Sequence, residues 1–334
     1  MTTTAAPSDS RPARRRVAGS VLVWLLLAPG ALWFAGRALG LERGLLIALF
    51  AATPLVAGWT WIPLLVAVAT KRWAAAAVAG LTTVGLTALV LPRALPDADK
   101  GPSGGVALRV LTINMLYGEA DPARIVRLVR DNDVAVLAVQ EFTAPGQAAL
   151  LAAGIGELLP HQQLTAEPEA SGSGLYSRYP MLTQASRRNN GGFQQAYATI
   201  QPTAAAPVTV ESVHPLAPAG PTMYADWGTD LRRQSPADPD GPPRILLGDF
   251  NATLDHRRLR ELIDTGYRDA AATVGRGLAA SWPSAGRFGG LVTIDHVLVD
   301  KRIAVHDVEV HSVANSDHRA VLAALTVPAA APGG

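Results

Sequence analysis

Two short strings, Gly248-Asp249-Phe250-Asn251 and Ser316-Asp317-His318, carry side chains suited to orienting water and moving a proton beside a phosphate. Further residues of the same kind fall just beyond apolar runs. Asn114 follows Val110-Leu111-Thr112-Ile113, Glu141 follows Val136-Leu137-Ala138-Val139-Gln140, and His214 follows Val208 to Val213. Asp249 and Asn251 follow Ile245-Leu246-Leu247, Asp295 and His296 interrupt Val292 to Val299, and Asp317 and His318 precede the last apolar run. Loops leaving different strands can converge on one rim, so these positions are candidates for a shared site. Glu141, Asp249, Asp317, Asn114 and Asn251 offer the carboxylate and amide oxygens that Mg²⁺ or Mn²⁺ prefers. Such a cation polarises a phosphoryl oxygen, while a histidine held by a carboxylate handles the proton of the attacking water. The chemistry expected is hydrolysis of a phosphate ester. Cysteine is absent, which excludes a cysteine-based zinc site and leaves the redox compartment untested.

Each of these residues also has a structural reading. Asp249 and Asn251 are common turn residues, and His214 and His318 could simply end or begin a strand. Strand alternation points His296 away from Asp295, which favours a structural role for it. His161, His256, His306 and His311 have no carboxylate-rich motif around them and read as surface residues. Arg178 reads as a brace for a strand-to-loop turn, with a phosphate contact as the alternative. The run Asn189-Asn190-Gly191-Gly192 reads as a turn that could reach the site.

The elements that must position this set follow from periodicity. Strands are expected at 106–113, 134–139, 173–177, 196–201, 207–213, 244–248, 292–299, 304–311 and 319–326, and helices at 122–130 and 257–265. A Pro-, Gly- and Asp-rich stretch, 215–243, predicts a long surface loop with a short helix near 227–234. Many strands with few helices imply an α/β domain of two packed sheets covered by helices. It should occupy 106–327, after a Pro/Gly linker at 93–105 and before a short tail at 328–334.

Residues 17–92 are almost continuously apolar. A bilayer core takes about 20 apolar residues per helix, so spans near 17–36, 44–69 and 74–92 predict three transmembrane helices within an N-terminal region 1–92. Pro54 and Pro63 fall in the middle span and predict tilt or a kink there. A cleaved signal peptide is the alternative for the first span. Arg11, Arg14, Arg15, Arg16, Lys71 and Arg72 lie on one side of such a topology, and Arg37, Arg43, Arg93 and Lys100 on the other. The excess puts the N-terminus in the cytoplasm and the domain outside a multi-pass cell-membrane protein. Residues 101–334 hold 19 Lys and Arg against 23 Asp and Glu, so the basic balance of the whole chain belongs to the apolar region. That weakens a nucleic-acid-binding reading, which draws on cations meeting phosphates.

Taken in order, Thr112-Ile113-Asn114, Gln140-Glu141, Ser177-Arg178-Tyr179-Pro180, His214, Gly248-Asp249-Phe250-Asn251, Ile294-Asp295-His296 and Ser316-Asp317-His318 resemble the endonuclease/exonuclease/phosphatase superfamily, the DNase I-like fold. The resemblance covers about 106–327. It implies a divalent-metal site at Glu141, with Asn114 and Asp317 helping to position the ion. It implies that Asp249 and Asn251 orient water and phosphate, that His214 donates to a phosphoryl oxygen, and that Asp295 with His318 serves acid–base or transition-state roles. Either Asp249 or His318 takes the proton.

The Arg-rich N-terminus, apolar spans and outward domain further resemble membrane-anchored proteins of the VanJ type, associated with teicoplanin resistance. That resemblance implies a phosphorylated lipid of cell-wall synthesis, such as undecaprenyl pyrophosphate, as substrate. A tethered extracellular nuclease and a non-catalytic sensor of a cell-wall precursor are the competing expectations.

Overall fold

The structure is a computed structural model, and it describes residues 11–284 and 290–330. The chain divides into two compact units, one of residues 1–41 and 53–91, the other of 42–52 and 92–334. The second unit is therefore discontinuous in sequence.

In the first unit, α1 (Arg11–Ala38) is followed, beyond α2 (Leu46–Phe50) of the other unit, by α3 (Thr53–Trp59), α4 (Trp61–Ala69) and α5 (Trp73–Val90). Val23 and Leu27 pack against Ala67, Ala75, Ala76 and Ala79. Small side chains let helix backbones approach closely. The Thr83 hydroxyl donates to the Thr60 carbonyl (3.1 Å) at the break between α3 and α4. Large apolar side chains including Leu22, Leu25, Leu32, Leu81 and Val84 face outward. Among the described residues, two helices, Arg16–Ala38 and Trp73–Ala94, are long and apolar enough to cross a membrane, where three spans were expected. The middle run is divided: Thr53–Ala69 is a shorter apolar stretch, and residues 44–52 belong to the second unit. Apolar composition alone could not separate a buried docking segment from a span.

The second unit is a two-sheet α/β sandwich. Its elements are β1 (Val106–Asn114), α6 (Pro122–Asp131), β2 (Val136–Gln140), α7 (Ala144–Ala152), α8 (Ile155–Leu158), β3 (His161–Thr165), β4 (Ser173–Ser177), β5 (Met181–Arg188), β6 (Gln194–Ile200) and β7 (Val208–Val213). They continue through α9 (Tyr224–Arg232), β8 (Arg244–Asp249), α10 (Arg257–Ile263), β9 (Tyr267–Asp269), α11 (Ala270–Thr273), β10 (Asp295–Asp300), β11 (Ala304–Ser312) and β12 (Arg319–Val327). One sheet has the order β11-β12-β1-β2-β4-β3 and the other β5-β6-β7-β8-β10-β9. The two central pairs, β1 with β2 and β7 with β8, are parallel, and all other pairs are antiparallel.

Alternate residues of the central strands feed different cores, which is why they read as unbroken apolar runs. Leu108 and Val110 join Val136, Val210, Ile245 and Leu247 between the sheets. Leu111 and Ile113 face the opposite way and pack with Ile125, Val129 and Leu150 beneath α6 and α7. On the outer face of the other sheet, Leu246 and Leu298 meet Trp227, Leu231 and Leu259 of α9 and α10, and Ile47 of α2 joins that cluster. Helix α6 starts sharply because Asp121 accepts from the Ala123 (2.9 Å) and Arg124 (3.2 Å) amides and Pro122 fills the first helical position.

Candidate active site

The rim is built from strand ends of both senses. The parallel strands β1, β2, β7 and β8 deliver residues at or just beyond their carboxyl ends, Asn114, Glu141, His214 and Asp249 to Asn251. Strands β10 and β12 run antiparallel to their neighbours, so their amino ends bring Asp295 and His318 to the same place. Beneath the rim a buried polar chain ties the sheets together. Thr112 donates to Gln140 Oε1 (3.2 Å), Gln140 Nε2 donates to Ser212 Oγ (2.9 Å), and Ser212 donates to the Val139 carbonyl (3.1 Å). Gly248 is required there: a Cβ would lie 2.0 Å from the Val213 carbonyl oxygen and 3.0 Å from Gln140 Nε2.

Asn114 holds two carboxylates around one nitrogen. Its Nδ2 donates to Glu141 Oε1 (3.0 Å) and to Asp249 Oδ2 (3.1 Å), while its Oδ1 accepts from the Leu116 amide (3.0 Å). The Tyr117 amide donates to Glu141 Oε2 (3.0 Å). Glu141 and Asn251 both have left-handed backbones, at φ 54° and 48°. Such strain collects where the chain must turn a side chain into a site. The Asn251 amide donates to Asp249 Oδ1 (2.8 Å) and its Nδ2 donates to the Pro215 carbonyl (3.0 Å). Ser316 donates to the Asn114 carbonyl (2.7 Å) and accepts from the His318 amide (3.0 Å), which pins the last loop to β1.

His318 Nδ1 donates to Asp295 Oδ2 (2.9 Å), and its Nε2 stands 3.6 Å from Asp249 Oδ2. Burial pushes the imidazole down, but the Asp295 and Asp249 carboxylates outweigh it and raise its pKa to about 10. Asp249 is raised by its own burial, partly offset by His318. His214 Nε2 lies 3.7 Å from Asp249 Oδ2, and burial lowers its pKa despite that carboxylate. Its ring rests on Phe193, with centroids 4.6 Å apart. Asp249, Asp295 and His318 present ligand atoms within 4.8 Å of one another, a group that could hold a metal ion only with the His318 proton displaced. At the rim, Asp295 Oδ1 and Asp317 Oδ1 are buried without a hydrogen-bond partner among the described residues. Orphaned polar atoms of this kind call for an ion or substrate to complete them.

A family model described as the Endonuclease/Exonuclease/phosphatase family matches residues 111–318. The chain belongs to that family. Its fold is similar to three solved structures. An endonuclease/exonuclease/phosphatase from Beutenbergia cavernae DSM 12333 is 19% identical, with TM-score 0.52, covering 66% of this chain and 72% of that one. A humanised D. rerio TDP2 carrying 14 mutations is 12% identical, with TM-score 0.55, covering 66% and 99%. An endonuclease/exonuclease/phosphatase family protein from Leptotrichia buccalis C-1013-b is 14% identical, with TM-score 0.50, covering 65% and 99%. At these identities the likeness shows the fold. No curated protein matches the chain at a comparable level.

Membership of the endonuclease/exonuclease/phosphatase family makes the chain a phosphoesterase-type hydrolase. Of the residues singled out from sequence, Asn114, Glu141, His214, Asp249, Asn251, Asp295, Asp317 and His318 are brought to one rim. Arg178 is not. It follows β4, which runs antiparallel to β2, so it emerges at the opposite rim, paired with Asp133 (2.8 Å) and donating to the Val134 carbonyl (3.0 Å). These contacts brace the turn, and Arg178 lies away from the rim that carries the other candidates. His296 points away from the rim, as alternation predicts, with Nδ1 on Asp269 (2.7 Å) and Nε2 on the Ala252 carbonyl (2.9 Å). His256 is a second correction: it is buried rather than on the surface.

Phe193, Trp282 and Tyr117 line the cleft of the family site and were not found from sequence. Trp282 Nε1 donates to Asp317 Oδ2 (3.0 Å) and holds that carboxylate in place. Phe193 follows the Asn189–Gly192 turn, which reaches the site: Asn189 Nδ2 donates to the His214 carbonyl (2.8 Å). That polar turn was the available signal for Phe193.

Proposed function

We propose that this protein is a membrane-anchored, divalent-metal-dependent phosphoesterase that hydrolyses a phosphate or pyrophosphate bond of a lipid-linked substrate. The observation that carries the substrate class is the cleft lining. Among the described residues, neither the cavity of about 540 Å³ over Asp249 and His318 nor the adjoining one of about 870 Å³ is lined by Lys or Arg. A nucleic-acid groove needs cations for the flanking phosphates. A substrate with a single charged end does not.

The oxygen donors fit a hard cation, with Glu141 and the unpartnered Asp317 Oδ1 as ligands and Asn114 as the group that positions Glu141. Bound there, the cation supplies Lewis-acid polarisation of the phosphoryl group. The chain's own residues do the rest. Asp249, oriented by the Asn114 side chain and the Asn251 amide, takes the proton from the attacking water. His318 already carries its proton at neutral pH and so stabilises negative charge on the phosphoryl oxygens, while Asp295 fixes its ring. His214, kept neutral by burial, donates a hydrogen bond to a phosphoryl oxygen.

Sidedness supports anchoring. Residues 42–52 and 92–334 form one unit, so if the apolar residues between them are the anchor, that part of the chain enters and leaves the bilayer on one side. Trp73–Ala94 is long and apolar enough to be one of the pair of crossings this takes, the shorter apolar stretch Thr53–Ala69 is proposed as the other, and Arg16–Ala38 crosses before them. With the Arg-rich N-terminus in the cytoplasm, the catalytic unit lies outside. The resemblance to VanJ-type proteins makes undecaprenyl pyrophosphate the first substrate to test, and a role in teicoplanin resistance follows from it.

The test uses the full chain in lipid nanodiscs, with phosphate release measured from undecaprenyl pyrophosphate and from phosphatidyl lipids, and nicking measured on plasmid DNA, in Mg²⁺ or in EDTA. Mg²⁺-dependent release from the lipid pyrophosphate is expected. Plasmid cleavage at equal or higher rates overturns the lipid reading in favour of a tethered nuclease.

A further inference from the structure

The cavity of about 540 Å³ has its floor at His214, Asp249 and His318, and one of its walls is made by Ile47, Ala48 and Ala51. Those three residues come from a segment more than forty positions upstream of the domain's first strand. The segment is fastened at several points within the catalytic unit. Ile47 is 2% exposed within the Trp227, Leu231 and Leu259 cluster. His256 Nδ1 accepts from the Thr253 amide (2.8 Å), which leaves Nε2–H to donate to the Ile47 carbonyl (2.7 Å). Burial lowers the His256 pKa and keeps that neutral tautomer. The Glu42 carboxylate accepts from the Arg257 amide at the start of α10. Leu216, Ala217, Pro218 and Met223 line the same cavity and add further apolar surface. A small-molecule site typically occupies roughly 300–1,000 Å³ and is mostly apolar with a few convergent polar groups.

We propose that residues 42–52 are a specificity wall of the active site, and that the hydrocarbon chain of the substrate lies between Ala48 and Ala51 on one side and Leu216 and Met223 on the other. The proposal rests on the phosphoesterase reading and specifies the part of the substrate that does not react. The phosphate sits on the polar floor, and the chain leaves it along the apolar channel. Among the described residues, the side chains that form these two walls offer a polar or sugar-like span of substrate no hydrogen-bonding group.

The experiment uses the full chain in nanodiscs with Mg²⁺ and a series of p-nitrophenyl alkyl phosphates from methyl to octyl, read as p-nitrophenolate release. It is paired with binding of methyl- and octylphosphonate by calorimetry. For the unaltered protein, kcat/KM is expected to rise at least tenfold from methyl to octyl, and octylphosphonate is expected to bind at least tenfold tighter than methylphosphonate, since each buried methylene contributes a severalfold factor. Ala51→Trp and Ala48→Trp should each cut the octyl-to-methyl ratio fivefold or more, while Ala48→Ser should keep most of it. Thermal melts identify a variant that fails to fold, and the phosphonate series on the unaltered protein then still decides. Hydrolysis with no dependence on chain length overturns the wall and leaves the phosphoesterase reading standing. Chain-dependent binding without hydrolysis of any ester does the reverse.

Discussion

Two neighbouring residues of β10, Asp295 and His296, each enter an Asp–His pair, one on either face of the strand. His296 donates to Asp269 through Nδ1 and to the Ala252 carbonyl through Nε2. Both partners can only accept, so the ring carries two protons and is a buried cation, in agreement with a pKa that Asp269 raises in spite of burial. His318 has the same carboxylate partnership through Nδ1, but its Nε2 faces Asp249 and the cleft at 3.6 Å. Saturation separates the two roles. A histidine whose nitrogens are both satisfied by the protein locks the 252–269 region to β10, and one left with a nitrogen to offer is available to substrate.

Removing the available nitrogen should have the largest effect. His318→Ala is expected to lower kcat about a thousandfold or more, within the range for loss of a positioned acid–base or charge-stabilising group, and, because it leaves the buried Asp295 carboxylate without its partner, to lower stability as well; single-turnover kinetics on the folded fraction and denaturant titration measure the two. For the saturated pair the loss falls on stability. His296→Ala strips the buried Asp269 carboxylate of its partner and should cost about 3–5 kcal/mol of stability. The folded fraction, quantified by active-site titration, should retain kcat within severalfold. A thousandfold loss of kcat in the folded fraction would erase the distinction between the pairs.

Proton linkage gives a smaller and graded effect. The His318 pKa lies above its ordinary value of 6.5, so its stabilisation is complete below about pH 6.5 and is lost as pH climbs through about 10. In EDTA, Tm should therefore fall between pH 7 and 10, and Asp295→Asn should flatten that fall; an unchanged slope contradicts the assignment. The smallest effect belongs to the far rim. Arg178→Ala removes a half-exposed ion pair with Asp133 and one carbonyl contact, and should cost about 1 kcal/mol or less with kcat unaltered.

The same strand geometry explains what could be read in advance. Asn114, Glu141, His214 and Asp249 follow runs buried on both faces, so their positions at strand ends were visible as abrupt changes from apolar to polar. Asp295 and His318 were legible only because ordered motifs accompany them, since they precede their strands. Arg178 shows the limit of that reasoning: a residue past a strand's carboxyl end reaches the site only if the strand runs with β1 and β2. Strands β3 and β5, with sequences HQQLT and MLTQASRR, were missed because they lie at sheet edges, half-exposed and without an apolar run. His256 could not be recognised as buried because its partner, the Ile47 carbonyl, lies 209 positions away.

The early passage of residues 42–52 through the catalytic unit has a consequence for how the molecule is made. A fragment starting after the last apolar helix lacks the piece that caps Trp227 and Leu259, and it leaves the His256 Nε2–H without its acceptor. Such a fragment should be sticky and poorly selective even with every acid and imidazole of the rim in place. During synthesis, the sandwich stays unfinished until residues 42–52, emitted long before it, return to close its flank.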